Sequence, residues 1–218
     1  MAYKQPSPQF VAEGGTGLST ITDHGILLGS GTGAITPLGV ATNGQIPIGS
    51  TGADPVLASL TGDDGVTVTN GAGTITLGGK IVQIQSSNKI AGSGTTSSTL
   101  VDVTSASLSI TPTSASNDIL VLFNWLSEHG NLAGTNFDIY HAVLRGATEL
   151  NTTNTVWNSG KSISGGDQHN GQQAYSYIDS PATTSPTTYK LQHNIITSGS
   201  STTLTTSEIN IVLMEIVT

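Results

Sequence analysis

The stretch HGILLGSGTGAITPL, starting at His24, returns nineteen residues later as NGQIPIGSTGADPVL, starting at Asn43. Each copy sets a short apolar run (Ile26, Leu27 and Leu28; Ile46 and Ile48) before a Gly-Ser/Thr-Gly turn and a second short run. A third unit, DDGVTVTNGAGTITL from Asp63, alternates Val66 and Val68 with threonine, turns over Asn70–Gly73, and alternates again at Ile75 and Leu77. Alternating apolar residues around Asn-Gly predict a β-hairpin. None of the three units holds enough apolar side chains for a core of its own. Such repeats become stable by stacking along an axis or by winding together with other chains. A collagen stalk is excluded, because the glycines do not fall at every third position.

Composition points the same way. Only 9% of the 218 residues are charged and 27 are glycine, against roughly 25% charged residues in an ordinary domain. Short alternating runs of Ile, Val and Leu nevertheless favour pleated, half-buried surfaces over disorder. The net charge of −8 and the single arginine, Arg145, argue against nucleic-acid binding, which needs clustered cations. No apolar run approaches the roughly 20 residues that span a bilayer, so membrane insertion is not expected. With no cysteine, disulfides and thiolate zinc sites are excluded. The opening MAYKQPSPQFVAEGG lacks the apolar centre of a secretory leader, so synthesis in a cytoplasm is expected. Robustness must then come from another source, such as oligomerisation.

Three regions follow from texture. Residues 1–13 carry two prolines and the candidate anchors Tyr3, Phe10 and Val11; they read as a docking segment or as a frayed end. Residues 14–79 form the glycine-rich repeat region. From Lys80 to Thr218 the runs lengthen: KIVQIQ, TLVDVT, SLSITP, DILVLFNWLS, NFDIYHAVLR, AYSYID, TTYKLQHNI and EINIVLMEIVT. Eight or so strands at this spacing, with no amphipathic helix, predict an all-β chain ending in a two-sheet sandwich. Two of the runs are apolar on both faces. Ile119, Val121 and Phe123 oppose Leu120, Leu122 and Leu126, and Ile209, Ile211 and Leu213 oppose Val212, Met214 and Ile216. A sandwich strand needs only one apolar face, so the second is expected to meet other copies of the chain. The candidate interface is Leu120, Leu122, Val212, Leu213, Met214 and Ile216.

These stretches resemble a known group. GGTGLSTI…GILLGSGTGAITPL and GVTVTNGAGTITL are similar to the glycine-rich shaft repeats of bacteriophage tail fibres. YIDSPATTSPTTYKLQ (Tyr177–Gln192), the closing IVLMEI (Ile211–Ile216) and SITPTSASNDILVLF (Ser109–Phe123) resemble a domain of phage virion and tail-fibre proteins. The resemblance is loose over residues 14–77 and closer over 80–218. It implies a homotrimer, with a glycine-rich trimeric β shaft followed by a jelly-roll head like those of tumour necrosis factor and C1q. It also implies a closing strand near the three-fold axis. The chain is short for a tail fibre and shows no large attachment domain before the shaft, which leaves tail, collar and capsid open as mounting points.

Motifs for chemistry are weak. WNSGKS (Trp157–Ser162) imitates the end of a phosphate loop, but Thr155 stands where its first glycine belongs and no helix pattern follows. No G-x-S-x-G elbow occurs. Asp63-Asp64 reads as turn chemistry, and Asp138 and Glu149 stand apart, so a glycan depolymerase lacks its carboxylate pair. Glu128 and His129 face opposite ways on a strand. Asp167 with His169, and His141 or His193 tripled about an axis, are the remaining metal arrangements, and no metal or cofactor is expected. Trp157, Asn158, Lys161 and His169 lie in the polar stretch NTTNTVWNSGKSISGGDQHNGQQ, read as a long loop. An aromatic ring among amides suits a surface glycan; the plain alternative is a spacer with Trp157 packed on the sandwich. Trp125, inside an apolar strand, is expected in the core. The function expected is a non-enzymatic virion fibre on the phage surface. It would join other virion proteins through its N-terminus and attach to the bacterial surface. A capsid or collar decoration fibre, a glycan depolymerase and a cytokine-like or C1q-like head are the alternatives.

Overall fold

The computed structural model describes residues 16–21, 23–63, 65–130, 136–150, 156–161, 168–198 and 203–217, with the backbone alone for 156–161, 168–169 and 197–198. Tyr3, Phe10 and Val11 lie outside the described residues. The chain divides into two compact units, Met1–Gly79 and Lys80–Thr218, and all its regular structure among the described residues is β.

In the first unit the three repeats are three antiparallel hairpins: β1 (Gly25–Leu28) with β2 (Thr36–Val40), β3 (Gln45–Ser50) with β4 (Ala53–Ser59), and β5 (Val66–Gly71) with β6 (Thr74–Gly79). The second and third turn through two residues, Thr51-Gly52 and Ala72-Gly73, with φ of 78° and 70° at the glycines. That conformation is steeply unfavourable for a residue with a Cβ. Asn70-Gly71, read from sequence as part of the turn, remains in the ladder opposite Ile75 and Thr74. Each hairpin is a separate two-stranded sheet, and each keeps apolar side chains in solvent: Leu27 and Val40, Ile48 and Val56, Val66 and Leu77. A hairpin with no layer packed on it is at best marginally stable in water.

The second unit is a sandwich. Its strands are β7 (Ile81–Lys89), β8 (Ser93–Thr95), β9 (Val101–Ile110), β10 (Asp118–Gly130), β11 (Asn136–Arg145), β12 (Thr148–Glu149), β13 (Val156–Lys161), β14 (Gln168–Asp179), β15 (Thr187–Ser198) and β16 (Leu204–Ile216). One sheet runs β14-β10-β16-β7, with β8 continuing the β7 edge along β16. The other runs β12-β11-β15-β9, with β13 continuing the β12 edge along β11. Counting each broken edge once leaves eight positions, ordered 1-8-3-6 and 2-7-4-5. This is the pair of Greek keys that defines a jelly roll.

Alternation builds the core. Ile119, Val121, Phe123 and Trp125 of β10 and Ile209, Ile211 and Leu213 of β16 face Val103 and Ile110 of β9, Val143 of β11 and Tyr189 and Leu191 of β15, all buried. A second, smaller cluster joins Phe137, Ile139, Ile195 and Leu204 at one end of the sandwich.

Two runs differ from the sequence reading. TLVDVT and SLSITP belong to one strand, β9, whose register slips where Ser105 takes a φ of 62°. Between its pairs with Gln192 and Lys190 the strand advances five residues, Asp102 to Ser107, against two on β15. An enlarged bulge of this kind takes in extra residues without ending the strand, so the polar interruption looked like a turn. The polar stretch after Asn151, read as a loop, supplies β13 and the start of β14. Its Asn, Ser, Gly and Gln residues conceal strands whose pairing is carried by backbone.

A bulge also marks β16 opposite Trp125, where exposed Glu208 adopts a φ of 49°. Glycine relieves that strain at about 1 kcal/mol. Glu208→Gly is therefore expected to raise the melting temperature by about 2–4 °C, measurable by calorimetry; an unchanged or lower value would show that the bulge is not strained.

Candidate interaction surface

The strands β10 and β16 are neighbours in the middle of their sheet, so their outward residues share a single surface. Register sets these side chains in rows. Ile178, Leu120, Met214 and Ile84 form one row across β14, β10, β16 and β7; Ser176, Leu122, Val212 and Ser86 form the next; Ala174, Asn124, Asn210 and Asn88 form the third. Ile216 extends the apolar end beside Asp118. Ile178 and Ile84 are 58% and 54% exposed, while Leu120, Leu122, Val212, Met214 and Ile216 are half-buried by their neighbours. No residue in the three rows is charged.

Five of the six residues expected at an interface between copies therefore lie together on this outer face. Leu213 does not. It is fully buried in its own sandwich, opposite Val121, because a strand sends successive side chains to opposite faces. Having Val212 and Met214 outside fixes Leu213 inside.

The other candidates are placed as follows. Asn158 and Lys161 lie on β13 opposite Ile139 and Asn136, and Trp157 is the extra residue of a bulge between Val156 and Asn158. His169 pairs with His129 across β14 and β10. Their side chains lie outside what the structure describes. By backbone they belong to one end of the sandwich, where Asn136 pairs with both Lys161 and Ser198 and Gly130 pairs with Gln168. The unit begins at the opposite end, where the Val217 amide donates to the Lys80 carbonyl at 2.8 Å.

His141 and His193 are not surface residues that a symmetry axis could triple. Both are 2% exposed or less, between the two sheets. The Thr206 hydroxyl lies 3.0 Å from His141 Nε2 and 2.8 Å from His193 Nδ1, and Ser127 Oγ lies 3.4 Å from the same His141 nitrogen. Trp125 packs in a tilted arrangement against His141 with ring centroids 5.0 Å apart, and His129 stacks on Phe137 at 4.3 Å. This belt of imidazoles and hydroxyls separates the main core from the small cluster of Phe137, Ile139, Ile195 and Leu204. Burial, then the charge of His193, holds the His141 pKa down to about 3, and burial holds His193 down to about 4. Both rings are neutral at pH 7 and sealed from solvent, so they hydrogen-bond rather than shuttle protons. Among the described residues no three His, Asp or Glu side chains are grouped to hold a metal ion.

Two buried carboxylates, neither singled out from sequence, tie the sandwich together. Asp179 accepts from Arg145 Nη1 at 2.8 and 2.9 Å and from the Tyr189 hydroxyl at 2.6 Å. Burial, then that hydrogen bond, keeps the Tyr189 phenol above its usual range. The only arginine is thus committed to structure. Glu215, wholly buried, accepts from the Thr113 amide and hydroxyl and from Asn117 Nδ2, each at 2.7 Å, and from Gln83 Nε2 at 2.6 Å. Burial alone would raise its pKa, but these donors together bring it down to about 2. The clue in sequence was an acid inside an apolar closing strand, at a position whose alternation points inward.

No protein family matches the chain by sequence, and no curated protein does. Comparison with solved structures gives matches from infectious bursal disease virus. The Gx strain structure is 14% identical, covers 87% of this chain and 44% of its own, and has a TM-score of 0.31. The VP2 subviral particle is 14% identical, with 85% and 44% covered and a TM-score of 0.32. The Gt strain structure is 16% identical, with 85% and 45% covered and a TM-score of 0.27. The chain spans less than half the length of the chains it matches.

Proposed function

We propose that this chain is a homotrimeric fibre protein of a bacteriophage virion, whose head attaches to the bacterial surface by binding without turnover. The observation that carries the reading is apolar surface a single copy leaves open. The three hairpins keep Leu27, Val40, Ile48, Val56, Val66 and Leu77 in water, and the head presents Ile84, Leu120, Leu122, Val212, Met214 and Ile178 on one face, with Ile216 at its end beside Asp118. Burying a side chain of this size contributes about 1.5–3 kcal/mol, so a few per copy outweigh any surface ion pair. Further copies of the chain would cover each set. The motifs resembling phage fibre domains, which contain Asp179 and Glu215, favour a virion as the setting.

In this reading Trp157, Asn158, Lys161 and His169, which by backbone share the β13 end of the head, are the candidate contacts to a surface glycan. Residues 1–13 hold the fibre to its tail, collar or capsid partner. Several trimers on one particle convert weak single contacts into firm attachment.

Light scattering on the purified chain at micromolar concentration is expected to give three times the chain mass; a monomer would end the trimer reading. Virions whose copies lack residues 80–218 are expected to adsorb poorly. Undiminished adsorption would instead favour a purely architectural fibre.

A further inference from the structure

The proposed contact face holds one row unlike the others. Asn124 of β10 pairs with Asn210 of β16, which pairs with Asn88 of β7, so three amides stand side by side across three strands. Asn124 and Asn88 are exposed and Asn210 half-exposed. No side-chain hydrogen bond to these amides occurs among the described residues. Next to them lie the apolar rows of Leu122 and Val212, then Leu120 and Met214.

We propose that this amide row meets its counterparts in the neighbouring copies and fixes the orientation in which the copies assemble. The inference rests on the reading that the chain is an oligomer joined through this face. Apolar rows attract without direction, so Leu120, Leu122, Val212 and Met214 would tolerate many rotations and slips of one copy against another. An amide buried in such a contact must find a partner or lose its hydrogen bonds to water. That requirement rejects every arrangement in which amides face methyl groups. A single polar residue in an apolar seam sets register and copy number in coiled coils by this logic, at some cost in stability.

The occupant follows from the chemistry of the row. A side-chain amide carries both donors and an acceptor, so it can pair with an identical group; a carboxylate or an ammonium cannot. Copies of a chain with net charge −8 repel one another wherever their acids meet, and these three rows carry no charge. The face is thus complementary to itself, which selects a second copy over a partner of different chemistry.

The test compares the full chain with N124D/N210D and with M214D by light scattering and by the concentration at which the oligomer dissociates. Aspartate is nearly isosteric with asparagine and both sites face outward, so circular dichroism and urea midpoints should show an intact fold. If the amides meet across copies, N124D/N210D gathers like charges and is expected to weaken association at least tenfold at neutral pH, as will M214D. An N124D/N210D oligomer that dissociates like the parent overturns the role of the row, while M214D decides whether the face itself is used. If neither variant changes association, the copies meet elsewhere and the inference falls although the oligomer stands. A monomeric parent chain overturns the underlying reading as well.

Discussion

Lowering the pH from 7 to 4.5 is expected to remove about 4–5 kcal/mol from the stability of the head, most of it through His141 and His193. Both imidazoles sit between the sheets, bonded to the single hydroxyl of Thr206. Their folded pKa values of about 3 and about 4 lie below the 6.5 of an unfolded histidine. Between those limits the unfolded chain binds protons that the folded chain refuses, so stability rises with pH. The stabilisation is complete above pH 6.5 and is lost as the pH falls toward 4. Each histidine contributes up to about 1.4 kcal/mol per pH unit while this holds. The slope is not full close to 6.5 or to the folded values, so two histidines over two units give about 4–5 rather than the limiting ~5.6 kcal/mol. Against a typical total of about 5–15 kcal/mol, that is a large share. Glu215 adds to acid sensitivity only below its unfolded value of 4.5, so the upper window belongs to the histidines. Urea midpoints at fixed chain concentration, measured from pH 7 to 4.5, should fall steeply in the parent chain. In His141→Gln and His193→Gln each, the slope should lose about one proton. Parallel curves for all three proteins would place the acid sensitivity in other groups.

How much of this was legible in the sequence depends on what carried each feature. Hairpins announce themselves because glycine at a turn and alternation beside it are local, and β3–β4 and β5–β6 are where those signals fall. The two-faced runs of β10 and β16 were legible for the same reason, and the period of two that exposed Val212 and Met214 should already have removed Leu213 from the outer set. The strand β13 was invisible, since Val156–Lys161 has almost no apolar alternation and owes its existence to the free edge of β11. The histidine belt was equally hidden. His141, His193, Ser127 and Thr206 come from four strands spread over some eighty residues, and only the jelly-roll order brings them face to face. The motifs around Asp179 and Glu215 were read as marks of a family. Their physical reason became visible once each carboxylate was seen collecting donors from distant segments.

That reason leads to the second large effect. Glu215→Ala is expected to cost about 3–4 kcal/mol, because it strands a set of donors that converge on one carboxylate. The Thr113 amide and hydroxyl and Asn117 Nδ2 share one oxygen, and Gln83 Nε2 takes the other. Hydrogen bonds to a charged acceptor contribute about 1.5–3 kcal/mol each, and they are not additive within one cluster. Together they outweigh the burial of a carboxylate that no cation among the described residues accompanies, in line with its lowered pKa. The bonds pin the segment between β9 and β10 to the closing strand and, through Gln83, to β7. Glu215→Gln preserves shape and one acceptor but turns an N–H toward a donor, so an intermediate loss of about 1–2 kcal/mol is expected. Urea unfolding of both variants, with Asn117→Ala completing a double-mutant cycle against Glu215→Ala, measures the coupling directly. A coupling near zero, or a Glu215→Ala chain as stable as the parent, would mean that the segment holds its place without the carboxylate. In that case the pairing of ITPTSASND with a closing Met-Glu-Ile has no energetic basis in this fold.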